Sequence, residues 1–347
     1  MNRSEALELL AREQRVVPEG AEYTLGRFEP ADAPGVTRLF YATYGDGYPI
    51  DTYYIPEKLA EENRNGNIHS VVARTVSGDI ISHLAFYRSS PPNPHLYEYG
   101  LALTLRAYRG KKIHSHLIKL LMELAKEIGI DTFYVETACN HLTIQQFCTS
   151  MNMLEAALEP ALMPARTYEA EQSADGRVGC LLAFRVDKDC RRKLHIPASY
   201  RNELTFLLNG LNLDRELVDS DANLTGSKAD IEVTRFEFAG VARCIITSPG
   251  ADLSTRLAEL ERELRGEDYA LIQFFVDLGK AWSGGVVELL RAQGYCLGGL
   301  LPVWFEDDGL LMQKHFVDPE FDSLKILTDR GRSLLEMVKR DWERSKR

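Results

Sequence analysis

Apolar positions recur with two different spacings along the chain, and the switches between them lay out its elements. The run Leu101-Ala-Leu-Thr-Leu105 reads as a buried strand. Basic and small residues follow, from Arg106 to His114, and then Ile113, Leu117, Leu120, Leu121, Leu124, Ala125 and Ile128 fall on one face of a long helix. Upstream, the spacing predicts a short leading helix over 4–13, a strand at 23–28 and a helix over 32–44. A turn-rich aromatic loop comes next (Gly45-Asp-Gly-Tyr-Pro49), then a helix over 56–63 ended by Asn65-Gly66. Strands at 68–75 and 80–87 are joined by Val76-Ser-Gly-Asp79, and residues 95–105 form the strand that enters the basic turn. Downstream come a strand at 132–137, a helix over 142–151 and a closing strand at 178–186.

The charged, proline-ended stretch 188–197 reads as a linker. Beyond it the pattern gives a helix near 199–211, strands at 231–238 and 241–247, and a helix over 253–265. Then come a strand at 270–277, a helix over 282–293, strands at 295–305 and 310–315, and a charged helix over 329–344. Phe133-Tyr-Val-Glu136, a helix and Met151-Asn-Met-Leu-Glu-Ala156 are echoed by Phe274-Phe-Val-Asp277, a helix and Gln293-Gly-Tyr-Cys-Leu-Gly298. The two halves thus read as copies of one arrangement.

A strand that passes through a basic, glycine-bearing turn into a helix suits an anion. First-turn amides lack internal partners, and the helix dipole adds partial positive charge there. Arg109, Lys111 and Lys112 supply formal charge at the same point. The plainer reading of these residues is a solvated loop, since cations at a helix start oppose the dipole.

Bulk properties narrow the classes. At 347 residues the chain is long for one hydrophobic core, so two domains are expected, 1–189 and 190–347. A formal net charge of -10 argues against a general nucleic-acid or anionic-membrane surface. No apolar run approaches a membrane span, and the first residues lack the apolar core of a signal peptide. The six cysteines show neither CxxC spacing nor histidine pairing, so buried thiols in a reducing cytosol are expected rather than disulfides or a metal site.

The element order over about residues 20–189, together with Tyr108-Arg-Gly-Lys-Lys-Ile-His114 after the strand, resembles the GNAT acyltransferase superfamily. That resemblance implies an α/β (α+β) fold of two tandem GNAT-like domains, each a mixed, mostly antiparallel sheet flanked by helices. It also implies acyl-CoA, most simply acetyl-CoA, as the group donor. Its pyrophosphate would lie at Arg109, Gly110, Lys111, Lys112, Ile113 and His114, and its pantetheine arm along Leu103, Thr104 and Leu105. Lys112 and His114 stand where the family pattern has small residues, so their side chains must turn away or contact phosphate or ribose themselves. Asn140 takes the place of the family's Asn, as a helix cap that also reaches the cofactor arm. Phe147 stands where many members keep a tyrosine that protonates the leaving thiolate, which phenylalanine cannot do. His141 and Gln145 are candidates to compensate. Gly294-Tyr295 echoes the family's Gly-Phe step, but Thr247-Ser-Pro-Gly-Ala-Asp252 has no basic residue, so the second domain is not expected to hold CoA.

N-acyl transfer needs a base for the amine. Glu98 is the first candidate, because strand alternation sets it on one face with Gly100, Ala102 and Thr104. Glu136 is the reserve, and Tyr97, Tyr99 and Tyr134 are alternative proton donors. Tyr44, Tyr48, Tyr53 and Tyr54 suggest an aromatic rim on the acceptor side. The expectation is an acyl-CoA-dependent N-acyltransferase acting on a small amine or a peptide. No nucleic-acid or membrane partner is expected, and self-association is left open. The competing reading is a non-catalytic protein that binds acyl-CoA or a partner through a degenerate site.

Overall fold

The computed structural model describes residues 1–13, 15–165, 176–224 and 226–346. They form two compact units, Met1–Ser90 with Tyr97–Phe133, and Pro91–Leu96 with Tyr134–Arg347. These units do not follow the boundary drawn at 189/190. The expected architecture is the one observed, a mixed, mostly antiparallel sheet flanked by helices.

In the first unit, β1 (Tyr23–Arg27), β2 (Ile68–Thr75), β3 (Ile80–Tyr87) and β4 (Tyr97–Thr104) pair in sequence order, each antiparallel to the next. β2 and β3 are buried at nearly every position, the mark of strands covered on both faces. Helix α1 (Arg3–Arg12) precedes them, and α2 (Ala33–Tyr44) and α3 (Pro56–Arg64) lie between β1 and β2. Val36, Leu39 and Phe40 of α2 share a core with Val72, Ile80, Ala85, Leu101 and Leu103. Helix α4 (Ile113–Ile128) packs on β2 and β3 through Ile113, Leu117, Leu121, Leu124 and Ala125. It starts where the pattern placed it and ends on Gly129 in the left-handed conformation.

In the second unit, β5 (Thr132–Ala138, of which this unit holds Tyr134 onward), β6 (Leu154–Met163), β7 (Val178–Val186), β10 (Asp230–Phe236), β11 (Val241–Ser248), β12 (Leu271–Asp277), β13 (Cys296–Leu301) and β14 (Gly309–His315) lie in the order β5-β7-β6-β13-β14-β12-β11-β10. The helices are α5 (Thr143–Ser150), α6 (Arg201–Leu208), α7 (Leu253–Gly266), α8 (Ser283–Ala292) and α9 (Asp329–Ser345). The echo seen in the sequence recurs in the topology. A strand, a helix and two strands, with the last strand inserted between the other two, occur as β5-α5-β6-β7 and again as β12-α8-β13-β14. The residue that leaves each helix for the next strand, Asn152 and Gly294, has positive φ in both copies.

Two readings of the chain are corrected. Strand β6 goes unseen in the pattern because Leu-Glu-Ala-Ala-Leu-Glu-Pro-Ala-Leu-Met is rich in helix formers and carries a proline. Burial at every position from Glu155 to Leu162 overrides that propensity. The stretch 188–197 is not a linker. It contains β8 (Arg192–Ile196), which pairs in parallel with β9 (Arg215–Asp219) and buries Leu194 and Ile196. Its charges are structural, since Asp189 pairs with the nearly buried Arg215 at 2.6 Å, and Arg215 pairs with the buried Asp308 at 2.6 Å.

Candidate active site

Strand β4 and the turn after it carry most of the expected site in the first unit. Tyr97, Tyr99, Leu101 and Leu103 are buried, whereas Glu98, Gly100 and Thr104 are half-buried and Ala102 is exposed, so the alternation is as foreseen. It survives a bulge that the sequence did not reveal. The β3–β4 register slips between His83 and Ala85, and Leu101 has φ of 55°. The buried His83 supports this distortion, its Nδ1 2.9 Å from the Leu101 carbonyl and its Nε2 2.9 Å from Ser70 Oγ. Burial holds its imidazole down to about 4.

At the end of β4 and in the turn after it, the backbone is tied down. Leu105 N–H donates to Ile81 O at 2.9 Å, the Leu103 carbonyl accepts from Ser82 Oγ at 2.8 Å, and the Thr104 carbonyl accepts from Arg109 Nε at 3.3 Å. Those three groups are therefore already engaged within the unit. Tyr108 anchors the turn, donating to Pro18 O at 2.6 Å and accepting from Ala21 N at 3.1 Å. The Lys111 ammonium lies 4.9 Å above its ring.

Arg109, Gly110 and Lys112 are exposed, and a Cβ on Gly110 would meet nothing within 4 Å. Gly110 (φ 77°) and Lys112 (φ 59°) both take left-handed backbone. Lys112 is also the N-cap of α4, where no side chain caps the helix and no acidic residue occupies the first turn. The start of α4 is thus open, basic and uncapped, which fits a diphosphate. His114 turns inward instead, with Nε2 3.4 Å from the Tyr99 hydroxyl, and burial lowers its pKa.

Glu98 stands in a set of phenols. It hydrogen-bonds Tyr87; burial, and after it the charge of Glu98, raises the pKa of Tyr87 and Tyr53, while Tyr48 is raised by burial, then by its tyrosine neighbours and Glu98. A Cβ on Gly100 would stand 3.0 Å from the Tyr87 ring, so the glycine makes room for the phenol that meets Glu98. Tyr87 and Gly100 had no such role in the sequence reading.

Glu136, Asn140, His141 and Phe147 belong to the second unit. Glu136 pairs with Arg243 at 3.3 Å, and Arg243 also reaches the buried Glu159 at 3.2 Å and Gln273 at 2.9 Å. Asn140 is buried but does not cap α5, whose N-cap is Leu142. Gln145 does not stand in for a proton donor, because its amide is spent on the main chain of 325–327. It donates to Lys325 O at 2.7 Å and accepts from Leu327 N at 2.9 Å. Half-buried His141 has its Nδ1 buried with no hydrogen-bond partner among the described residues. Phe147 is half-buried.

Among the described residues no helix is long and apolar enough to cross a membrane. Comparison with known proteins gives a match to the acetyltransferase (GNAT) family over residues 33–152. Similar solved structures include an N-acetyltransferase from Staphylococcus aureus, at 16% identity over 48% of this chain and 100% of that one, with a TM-score of 0.39. A ribosomal-protein-alanine N-acetyltransferase from Brucella melitensis matches at 17% identity, 47% and 99% coverage and a TM-score of 0.37. A Salmonella typhimurium structure that contains its cofactor acetyl-CoA matches at 14% identity, 48% and 95% coverage and a TM-score of 0.38. No curated protein sequence matches. The matched residues, 33–152, run from α2 through α5 and so take in β4 and the basic turn.

Proposed function

We propose that this chain is an acyl-CoA-dependent N-acyltransferase that passes an acetyl group directly to an amine. The observation that carries the reading is the open, uncapped and basic start of α4 directly after β4. Acetyl-CoA, when bound, supplies an acyl group activated as a thioester. Arg109, Lys112 and the first-turn amides of α4 hold the diphosphate, and Gly110 leaves the turn's backbone unobstructed. Lys111 stays on the Tyr108 ring and sets the turn rather than the ligand. Glu98 takes the proton from the attacking amine, and the phenol of Tyr87 orients its carboxylate. The repeated strand order of the second unit supports a tandem arrangement in which the second copy lacks the phosphate turn.

Calorimetric titration with CoA and a thiol-release assay over a panel of amines test this reading. Arg109→Ala should weaken CoA binding about 10- to 100-fold. Glu98→Gln should leave CoA affinity unchanged and lower turnover at neutral pH by about 100-fold or more. Unchanged CoA affinity in Arg109→Ala would place the diphosphate elsewhere. Phe147, which cannot donate a proton, favours a second reading, a protein that binds acyl-CoA without turning it over. CoA binding with no thiol release from any amine would establish that one instead.

A further inference from the structure

Arg106, Arg109, Lys111, Lys112 and Lys119 fall between the end of β4 and the second turn of α4, and no aspartate or glutamate interrupts that stretch. The chain as a whole carries a formal net charge of -10, so its sign is reversed here locally. All five cations are exposed, as is His116 among them. Among the described residues none of the six pairs with a carboxylate. Lys111 lies on the Tyr108 ring, and Arg109 Nε donates to the Thr104 carbonyl at 3.3 Å.

Helix geometry aligns three of the others. His116 N–H donates to the Lys112 carbonyl at 3.3 Å, which sets these two residues one turn apart, and Lys119 follows three positions later. Residues three and four apart are neighbours on a helix surface. Lys112, His116 and Lys119 therefore form one line that starts at the open end of α4. It runs beside the face that buries Ile113, Leu117, Leu121 and Leu124. Exposed Glu123, one turn beyond Lys119, ends it.

Charge decides what such a line can hold. CoA carries one negative charge on each phosphate of its diphosphate, and the phosphomonoester at its ribose 3′ position adds about 1.5 to 2 more at pH 7. Arg109, Lys112 and the first-turn amides already match the diphosphate. The 3′-phosphate stands one ribose ring away from it, a spacing close to the helix pitch of about 5.4 Å, so it comes within reach of the next turn. On the acyl-transfer reading given above, we propose that His116 and Lys119 bind the 3′-phosphate of CoA and make the protein selective for CoA over its dephospho form. The Lys119 ammonium supplies the charge, and the His116 ring supplies an N–H donor. The contact lies at the far end of the cofactor from the thioester, so it governs capture of the donor and not the chemical step.

Calorimetric titration of the full chain with CoA and with dephospho-CoA, which lacks only that phosphate, tests the assignment without any acceptor. CoA should bind about tenfold tighter at low salt, and the gap should narrow as salt is raised. Lys119→Ala should reduce the gap several-fold by weakening CoA alone, His116→Ala combined with Lys119→Ala should close it, and Lys119→Arg should keep it. Lys126→Ala removes another exposed cation, about two turns further along α4, and should leave both affinities unchanged. Arg109→Ala should weaken both ligands to the same extent. Equal affinities for the two ligands in the unaltered chain, or a Lys119→Ala variant that weakens both alike, would overturn the assignment and leave the diphosphate at the start of α4 in place. If neither ligand binds, the acyl-transfer reading itself fails, and the 3′-phosphate contact falls with it.

Discussion

The turn that leads into α4 and the turn that leads into α7 have the same place in a strand–turn–helix unit, yet they are built for opposite ends. Before α4 the turn is open, since Gly110 has empty space where a Cβ would stand, Arg109 and Lys112 are exposed, and nothing caps the helix. Before α7 the chain fills the same space itself. A Cβ on Gly250 would collide with the backbone of Lys228 and Ala229, and Ala251 N donates to Gly226 O at 3.1 Å. Asp252 takes the N-cap position of α7, but its carboxylate makes no cap bond to the helix and instead accepts from Ala229 N at 2.5 Å, fastening that covering segment. The difference lies in occupancy and charge and not in helix geometry. A helix start becomes an anion site only where the chain declines to satisfy it.

Reversing the charge of the open turn has the largest expected effect. Arg109→Glu with Lys112→Glu should lower CoA affinity at least about 100-fold by calorimetry, with the loss shrinking at high salt. Retained affinity would erase the contrast between the two turns.

Each unit also keeps a buried neutral histidine, His83 in the first and His315 in the second, both held down to about 4 by burial from an ordinary 6.5. The unfolded chain takes up these protons near pH 6.5 and the native state does not. Stability is therefore fully present above that pH and falls as pH drops toward 4, by about 3 kcal/mol for each residue. Urea unfolding at neutral and acid pH measures this. His83→Gln should flatten its share of the slope, and a slope unchanged in that variant would refute it.

The two glycines should part company next. Gly250→Val should destabilise the fold by about 1–3 kcal/mol through overpacking and leave CoA affinity intact. Gly110→Val, with open space but positive φ, should cost about 1–2 kcal/mol in stability and weaken CoA binding as well. Thermal unfolding with and without CoA separates the two outcomes.

The smallest effect is expected at Lys112. Lys112→Gly should relieve about 1 kcal/mol of left-handed backbone strain, raising Tm, while lowering CoA affinity several-fold. A rise in Tm with no loss of affinity would show that the ammonium does not touch phosphate.

Most of the elements were legible because their apolar periods were clean. The start and face of α4 fall where the sequence puts them, and the alternation that sets Glu98, Gly100, Ala102 and Thr104 together is visible in β4. The failures share a cause. β6 looks helical and 188–197 looks like a linker, because local composition says nothing about partners distant in sequence such as β13, Arg215 or Asp308. Gln145 and Asn140 sit at readable positions, yet their roles depend on residues 325–327 and on where α5 begins.

By itself the sequence determined most of the strands and helices, though not β6 or β8, together with the basic turn and the acidic alternative before α7, since period, glycine placement and charge are local properties. Tertiary structure decided which of the two turns stays open, which way Lys111 and His114 point, and that Glu98 stands among Tyr48, Tyr53 and Tyr87. Those outcomes depend on what packs against each residue from far along the chain, and no local pattern encodes a long-range contact.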